Sequence, residues 1–177
     1  AIYMVGDTDS SVAGYTNGMT GGTDICLTRW SSAGALEWIR IFGSDTTDFS
    51  TDCAADSGGN AYVCGGTWGF MQGNTNQGAQ DAFLAKYNTA GDWQWTVVWG
   101  TTGNDRCLAV ELDSGGNVYV AGVAAGTLDG QPKPGGFDFF VSKFLPNGTK
   151  MWTRMFGSPG SESEFDYNCG LYIDPTD

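Results

Sequence analysis

The chain has 177 residues, with 28 glycines, 5 prolines and 14% aromatic residues, a balance that suits many short strands joined by tight turns and not a helical protein. Eight basic against 20 acidic side chains give a net charge of −12, which excludes the basic footprint that nucleic-acid binding needs. Histidine is absent, so Ser-His-Asp triads, Cys-His dyads and His-ligated zinc are excluded too.

Taken in chain order, Ala1 to Gly6 reads as a strand, one more strand opens at Asp24, and another carries Trp38. Short apolar or alternating runs follow at Thr51 to Asp56, Ala61 to Gly65, Ala82 to Tyr87, Trp93 to Trp99, Leu108 to Asp113 and Val118 to Gly122. Strands at Asp138 and Trp152 come next, and Cys169 to Asp174 is the last. The run Ala82 to Tyr87 is too short for a helix and is bounded by Asp81 and the turn Asn88-Thr89-Ala90-Gly91-Asp92. Ser57-Gly58-Gly59-Asn60 and Ser114-Gly115-Gly116-Asn117 are polar glycine turns that join neighbouring strands into hairpins.

The runs repeat. Asp24, Asp81 and Asp138 stand 57 residues apart, as do Gly34, Gly91 and Gly148, Trp38, Trp95 and Trp152, and Gly43, Gly100 and Gly157. Asp56 and Asn60 recur at Asp113 and Asn117, and Tyr62 recurs at Tyr119, with Tyr3 displaced by a two-residue insertion. Four antiparallel strands in each copy predict an all-β propeller of four-stranded blades, since a β-solenoid would need shorter rungs. The chain is then one propeller segment over residues 1–177, with repeats of approximately 1–60, 61–117 and 118–177, offset by one strand from the blades.

These motifs resemble the bacterial β-propeller repeat family known as SBBP. The matching pieces are Asp113 to Gly122, Asp81-Ala82-Phe83-Leu84-Ala85-Lys86-Tyr87, and Gly91 to Trp95 with Trp99-Gly100. The resemblance covers nearly the whole chain and implies a propeller fold. It implies extracellular or surface repeats and names no reaction.

Two repeated columns invite chemistry. One carboxylate per blade at Asp24, Asp81 and Asp138 suits a turn or inter-blade acceptor better than a catalytic or metal role. Arg29, Lys86 and Lys143 suit an ion pair or a carbonyl of the next blade, and the three tryptophans suit blade packing. Because strand direction alternates, the long loops all emerge at one end, at 7–23, 67–80, 123–137, 43–50, 100–106 and 157–168. That end collects Asp7, Asp9, Asp45, Asp48, Asp105, Glu162, Glu164 and Asp166. Tyr15, Trp68 and Phe70 among them are the candidate ligand-stacking residues. Glu162, Glu164 and Asp166 are candidate ligands for Ca²⁺, which takes six to eight oxygens, although no EF-hand pattern is present. Asn147-Gly148-Thr149 fits the N-glycosylation pattern at a surface turn.

Five cysteines in an acidic, lysine-poor chain point to an oxidising compartment, with one left free or paired elsewhere. If Asp56 faces Ala61, Cys53 lies directly opposite Cys64, which predicts a cross-strand disulfide, two packed thiols being the alternative. No apolar run approaches the roughly 18 residues that cross a bilayer, so membrane insertion is not expected. Ala1 to Gly6 matches a second strand and Cys169 to Asp174 a first strand, two halves of one hairpin. The expected partners are therefore flanking blades of a longer chain or neighbouring copies in an assembly, because an unpaired edge strand is a liability.

The reading is an extracellular structural or adhesive module of a surface layer, appendage or fibre, without catalytic activity. A carbohydrate-binding propeller is the alternative and a polysaccharide hydrolase or lyase the third.

Overall fold

The computed structural model describes residues 1–12, 14, 22–132, 135–160 and 169–174. Within them run eleven strands: β1 (Ile2–Thr8), β2 (Asp24–Trp30), β3 (Leu36–Phe42), β4 (Asp48–Ala55), β5 (Ala61–Thr67), β6 (Asp81–Tyr87), β7 (Trp93–Trp99), β8 (Asp105–Leu112), β9 (Val118–Ala124), β10 (Asp138–Phe144) and β11 (Lys150–Phe156). They form three antiparallel sheets: a three-stranded first blade, β1-β2-β3, and two four-stranded blades, β4-β5-β6-β7 and β8-β9-β10-β11. The chain is an arc of propeller blades whose first member lacks its first strand.

Alternation along each strand gives every blade two apolar faces, and the blades stack through them. Val63, Phe83 and Ala85 of the second blade pack on Ile25, Leu27 and Phe42 of the first. From the opposite face, Cys64, Leu84 and Trp99 pack on Val118, Val120, Phe140 and Phe144 of the third. Glycine is required where the strands pack closest. A Cβ on Gly65 would collide with the Phe49 carbonyl oxygen and one on Gly122 with that of Arg106.

Polar contacts lock successive blades in a repeating way. Trp38 donates its indole N–H to the Thr89 carbonyl at 3.0 Å, and Trp95 donates to the Pro146 carbonyl at 3.2 Å. Arg40 reaches the same turn of the second blade, donating to the Gly91 and Ala90 carbonyls at 2.7 and 2.8 Å. Lys86 sits 3.9 Å from Asp56 and donates to the Pro146 carbonyl at 3.3 Å. Lys143 sits 3.7 Å from Asp113, and Arg29 pairs with Glu37 at 2.5 Å. The cationic column thus forms the ion pairs and, at Lys86, the carbonyl contact that its spacing suggests.

Two details of the first strands differ from the sequence expectation. β4 and β8 begin at Asp48 and Asp105, three residues before the predicted starts, because a bulge between Ser50 and Asp52, repeated between Cys107 and Ala109, lets pairing continue. The register is also one residue off the predicted one: Ala55 faces Ala61, Cys53 faces Val63, and Asp52 faces Cys64. Neighbouring positions point to opposite faces, so Cys53 packs toward the first blade and Cys64 toward the third. The Cys53–Cys64 disulfide is not formed, and all five cysteines are thiols. Residues 169–174 are not in a strand.

Candidate functional site

The end of the arc that carries the long loops is built from two repeated elements. The first is a pair of buried aspartates at the strand starts. Asp81 opens β6 and Asp105 opens β8, both fully buried, and bare Gly100 lies where a Cβ would strike Asp81 Oδ1 and come within 2.8 Å of Asp105 Oδ2. In the preceding blade Asp24 and Asp48 meet over Gly43 in the same way. Each carboxylate ties down a loop. Asp48 accepts the Ser44 N–H and hydroxyl, Asp105 accepts the N–H and hydroxyl of Thr101, and Asp81 Oδ2 accepts the Gln77 N–H. Asp138 accepts the Gly135 N–H at 3.0 Å. Burial, with Asp105 as a second and smaller influence, raises the Asp81 carboxyl to about 6. Burial also raises Asp48, whose neighbour Asp24 adds to the effect.

These pairs correct the reading of Asp48 and Asp105 as part of an acidic surface: both are closed off from solvent and shape the loops from within. Asp81 and Asp138 act as loop-closing turn acceptors, as their position suggested, and Asp24 is buried at the same strand start.

The second element is the loop that follows the second strand of a blade. Between β5 and β6 it is anchored by Met71, fully buried between the first two blades, and by a bridge in which Met71 and Asn74 exchange N–H and carbonyl. Gln72 takes a positive φ of 46°, and the Asn74 side chain donates to the carbonyls of Met71, Gln72 and Thr96. On either side of Gly69, Trp68 is 40% and Phe70 58% exposed. Trp68 leans on Phe49, with ring centroids 5.5 Å apart, and its backbone N–H donates to the Thr47 carbonyl.

The third blade repeats this loop with other residues at its tip. Leu128 replaces Met71 as the buried anchor, Asp129 has a φ of 49°, and the Ala125 N–H donates to the Asn104 carbonyl. Ala125 and Thr127 stand in the places of Trp68 and Phe70. The loop therefore folds without aromatic residues at those two positions, and in the second blade it holds two large rings out to water.

Of the other sequence candidates, Asn147 sits on the exposed turn between β10 and β11 and accepts the Thr149 N–H through its own Oδ1. Tyr15, Glu162, Glu164 and Asp166 lie outside the described residues. Among the described residues no three Cys, Asp or Glu side chains come together to hold a metal ion, and no helix is long and apolar enough to cross a membrane.

The repeated sheets and their locks invite comparison with known proteins, and residues 37–70, from β3 to the tip of the loop after β5, match the β-propeller repeat family SBBP. The chain is built from β-propeller repeats. It is 30% identical over 185 residues to the regulatory protein FlaEY of Caulobacter vibrioides, an alignment that covers 94% of this chain and 19% of that protein. An uncharacterized WD repeat-containing protein of Acanthamoeba polyphaga mimivirus is 28% identical over 195 residues, covering 93% of this chain and 14% of the relative. The chain thus spans less than a fifth of the length of these relatives.

The sequence singled out Trp68 and Phe70 but missed what makes them stand apart. The 57-residue alignment already contains that signal: Met71 and Leu128 share the anchor column, while the two positions flanking Gly69 change from aromatic to Ala125 and Thr127.

Proposed function

We propose that this chain is a structural and adhesive propeller module of an extracellular surface assembly, without catalytic activity, and that Trp68 and Phe70 form its contact surface. The observation that carries the reading is the contrast between two loops of one backbone design, one tipped with exposed aromatic rings and the other with Ala125 and Thr127. Two rings that the fold does not require and that a rigid loop holds in water suit recognition, because binding residues concentrate on loops fixed by a scaffold. The absence of histidine from the chain and its acidic charge agree with a binding or scaffolding role.

The same pair supports a second reading, a carbohydrate-binding propeller in which the rings stack on sugar faces. A glycan array separates the two. Binding to defined glycans that is lost in W68A/F70A supports the second reading. Binding to a protein or cell surface with no glycan signal, lost in the same variant, supports the first.

A further inference from the structure

We propose that Cys64 and Cys107 are an oxidation site, a pair of thiols that closes to a disulfide between the second and third blades. The bridge is independent of what Trp68 and Phe70 bind.

The two cysteines stand on strands of neighbouring blades, Cys64 in β5 and Cys107 in β8. Both are fully buried in the apolar cluster that joins those blades, beside Leu84, Val120 and Phe140. One hydroxyl touches both. Thr51, the residue that the β4 bulge leaves unpaired, has its Oγ1 3.5 Å from Cys64 Sγ and 3.2 and 3.0 Å from the Cys64 and Cys107 carbonyl oxygens. The Cys107 sulfur accepts the Gly65 backbone N–H and hydrogen-bonds the Cys64 thiol. The two sulfurs therefore meet directly.

The repeat adds an independent observation. In the 57-residue alignment Cys64 shares a column with Val5 and Ala121, and Cys107 shares one with Ser50. The junction of the first and second blades thus carries Val5 and Ser50 where the next junction carries two cysteines. Cysteine enters both columns together, at the junction where the two side chains touch. Either thiol alone would be a small core residue; facing each other across two strands they are the halves of a bridge.

The other cysteines are placed differently. Cys53 packs toward the first blade, and Cys26 lies in β2 of that blade. Cys169, whose thiol is raised by burial first and by Cys64 second, is the competing partner.

Closure needs an oxidant, a low-molecular-weight disulfide such as oxidised glutathione. The thiolate of one cysteine attacks a sulfur of that disulfide, expels one glutathione thiolate and forms a mixed disulfide. The thiolate of the second cysteine then attacks the protein sulfur and expels the other glutathione. The two cysteine protons end on two reduced glutathiones, which take up the two electrons that the cysteines lose. Burial raises the Cys107 thiol well above its ordinary value, so its thiolate is scarce once the blades have packed. Closure belongs to folding, and the thiols of the reduced chain stay open.

Refolding the protein from denaturant in a mixture of oxidised and reduced glutathione tests this, read by alkylation in denaturant and by peptide mapping. The expected product has three of these five cysteines alkylated and a cross-linked peptide pair that contains Cys64 and Cys107. Its thermal midpoint should fall when reductant is added, because the bridge constrains the unfolded chain. C53S is expected to keep both the bridge and this response to reductant, and C64S and C107S are expected to lose both. Five alkylated cysteines in refolded wild type would overturn the proposal, as would a bridge that maps to Cys53 and Cys64 or to Cys64 and Cys169.

Discussion

Asp81 and Asp105 approach each other over Gly100, both shut off from solvent, with the Asp81 carboxyl raised to about 6 by burial first and by its neighbour second. Asp105 receives two donors from Thr101 and one from Ala125, while Asp81 Oδ1 has no hydrogen-bond partner among the described residues. Burial of Asp81 therefore favours its protonated form.

This arrangement sets a pH dependence with a definite sign. A folded-state pKa raised above the ordinary 3.8 means that the native state holds its proton more tightly than the unfolded chain. The contribution is complete below about pH 4 and is lost as pH rises to about 6, amounting to at most about 3 kcal/mol. Asp81→Asn removes this pH dependence. Denaturant unfolding is expected to show the variant more stable than wild type at pH 7.5 and level with it at pH 4. Equal stability of the two proteins at pH 7.5 would show that the pair is not strained.

The inter-blade lock predicts a graded loss at one column. Trp38→Phe keeps the packing and deletes the hydrogen bond to Thr89, costing about 1 kcal/mol plus the unsatisfied carbonyl. Trp38→Ala also empties a buried site and should cost about 3–5 kcal/mol. Chemical unfolding of both variants checks the order.

Two glycines of one column should respond oppositely. Gly65→Ala drives a methyl into the Phe49 carbonyl and to 2.8 Å from the Phe83 ring, an overpacking expected to cost about 1–3 kcal/mol. Gly6→Ala meets nothing within 4 Å and should change the stability by no more than about 0.5 kcal/mol. Thermal unfolding of the two substitutions compares them directly.

The five thiols make a further test. Burial raises the Cys53 thiol to about 11, with Asp52 adding to it, and pushes Cys107 well above its ordinary value, with Cys64 beside it. Native protein at neutral pH should therefore react slowly with a thiol reagent at Cys53 and Cys107. In denaturant without reductant, all five cysteines should titrate. Three titratable thiols there would mean that one bridge forms.

What was legible in the sequence was whatever recurs with period 57. Trp38 with Trp95, Asp56 with Asp113, and the glycine turns fixed the blades because identical side chains meet identical neighbours in each copy. The register at the turn was not legible: Asp56 donates to the Asn60 carbonyl, so the chain reverses over Ser57-Gly58-Gly59 and Asp56 faces Asn60, not Ala61, which moves Cys53 off Cys64 by one position. Asp48 and Asp105 read as surface residues because they sit in polar, glycine-rich stretches; what buries them is the approach of Gly43 and Gly100 from the strand before. Trp68 and Phe70 were legible as candidates, and their exposure followed only once Met71 was seen to anchor the loop between them and the core.

The central claim is that a rigid repeat scaffold presents Trp68 and Phe70 as its contact surface. The most direct measurement is binding of the W68A/F70A variant to the native surface from which the protein comes, with its thermal midpoint recorded alongside. The account predicts that binding falls at least tenfold while the midpoint stays level, since Ala125 and Thr127 already serve the same loop in the third blade. Binding equal to wild type at an unchanged midpoint would contradict it.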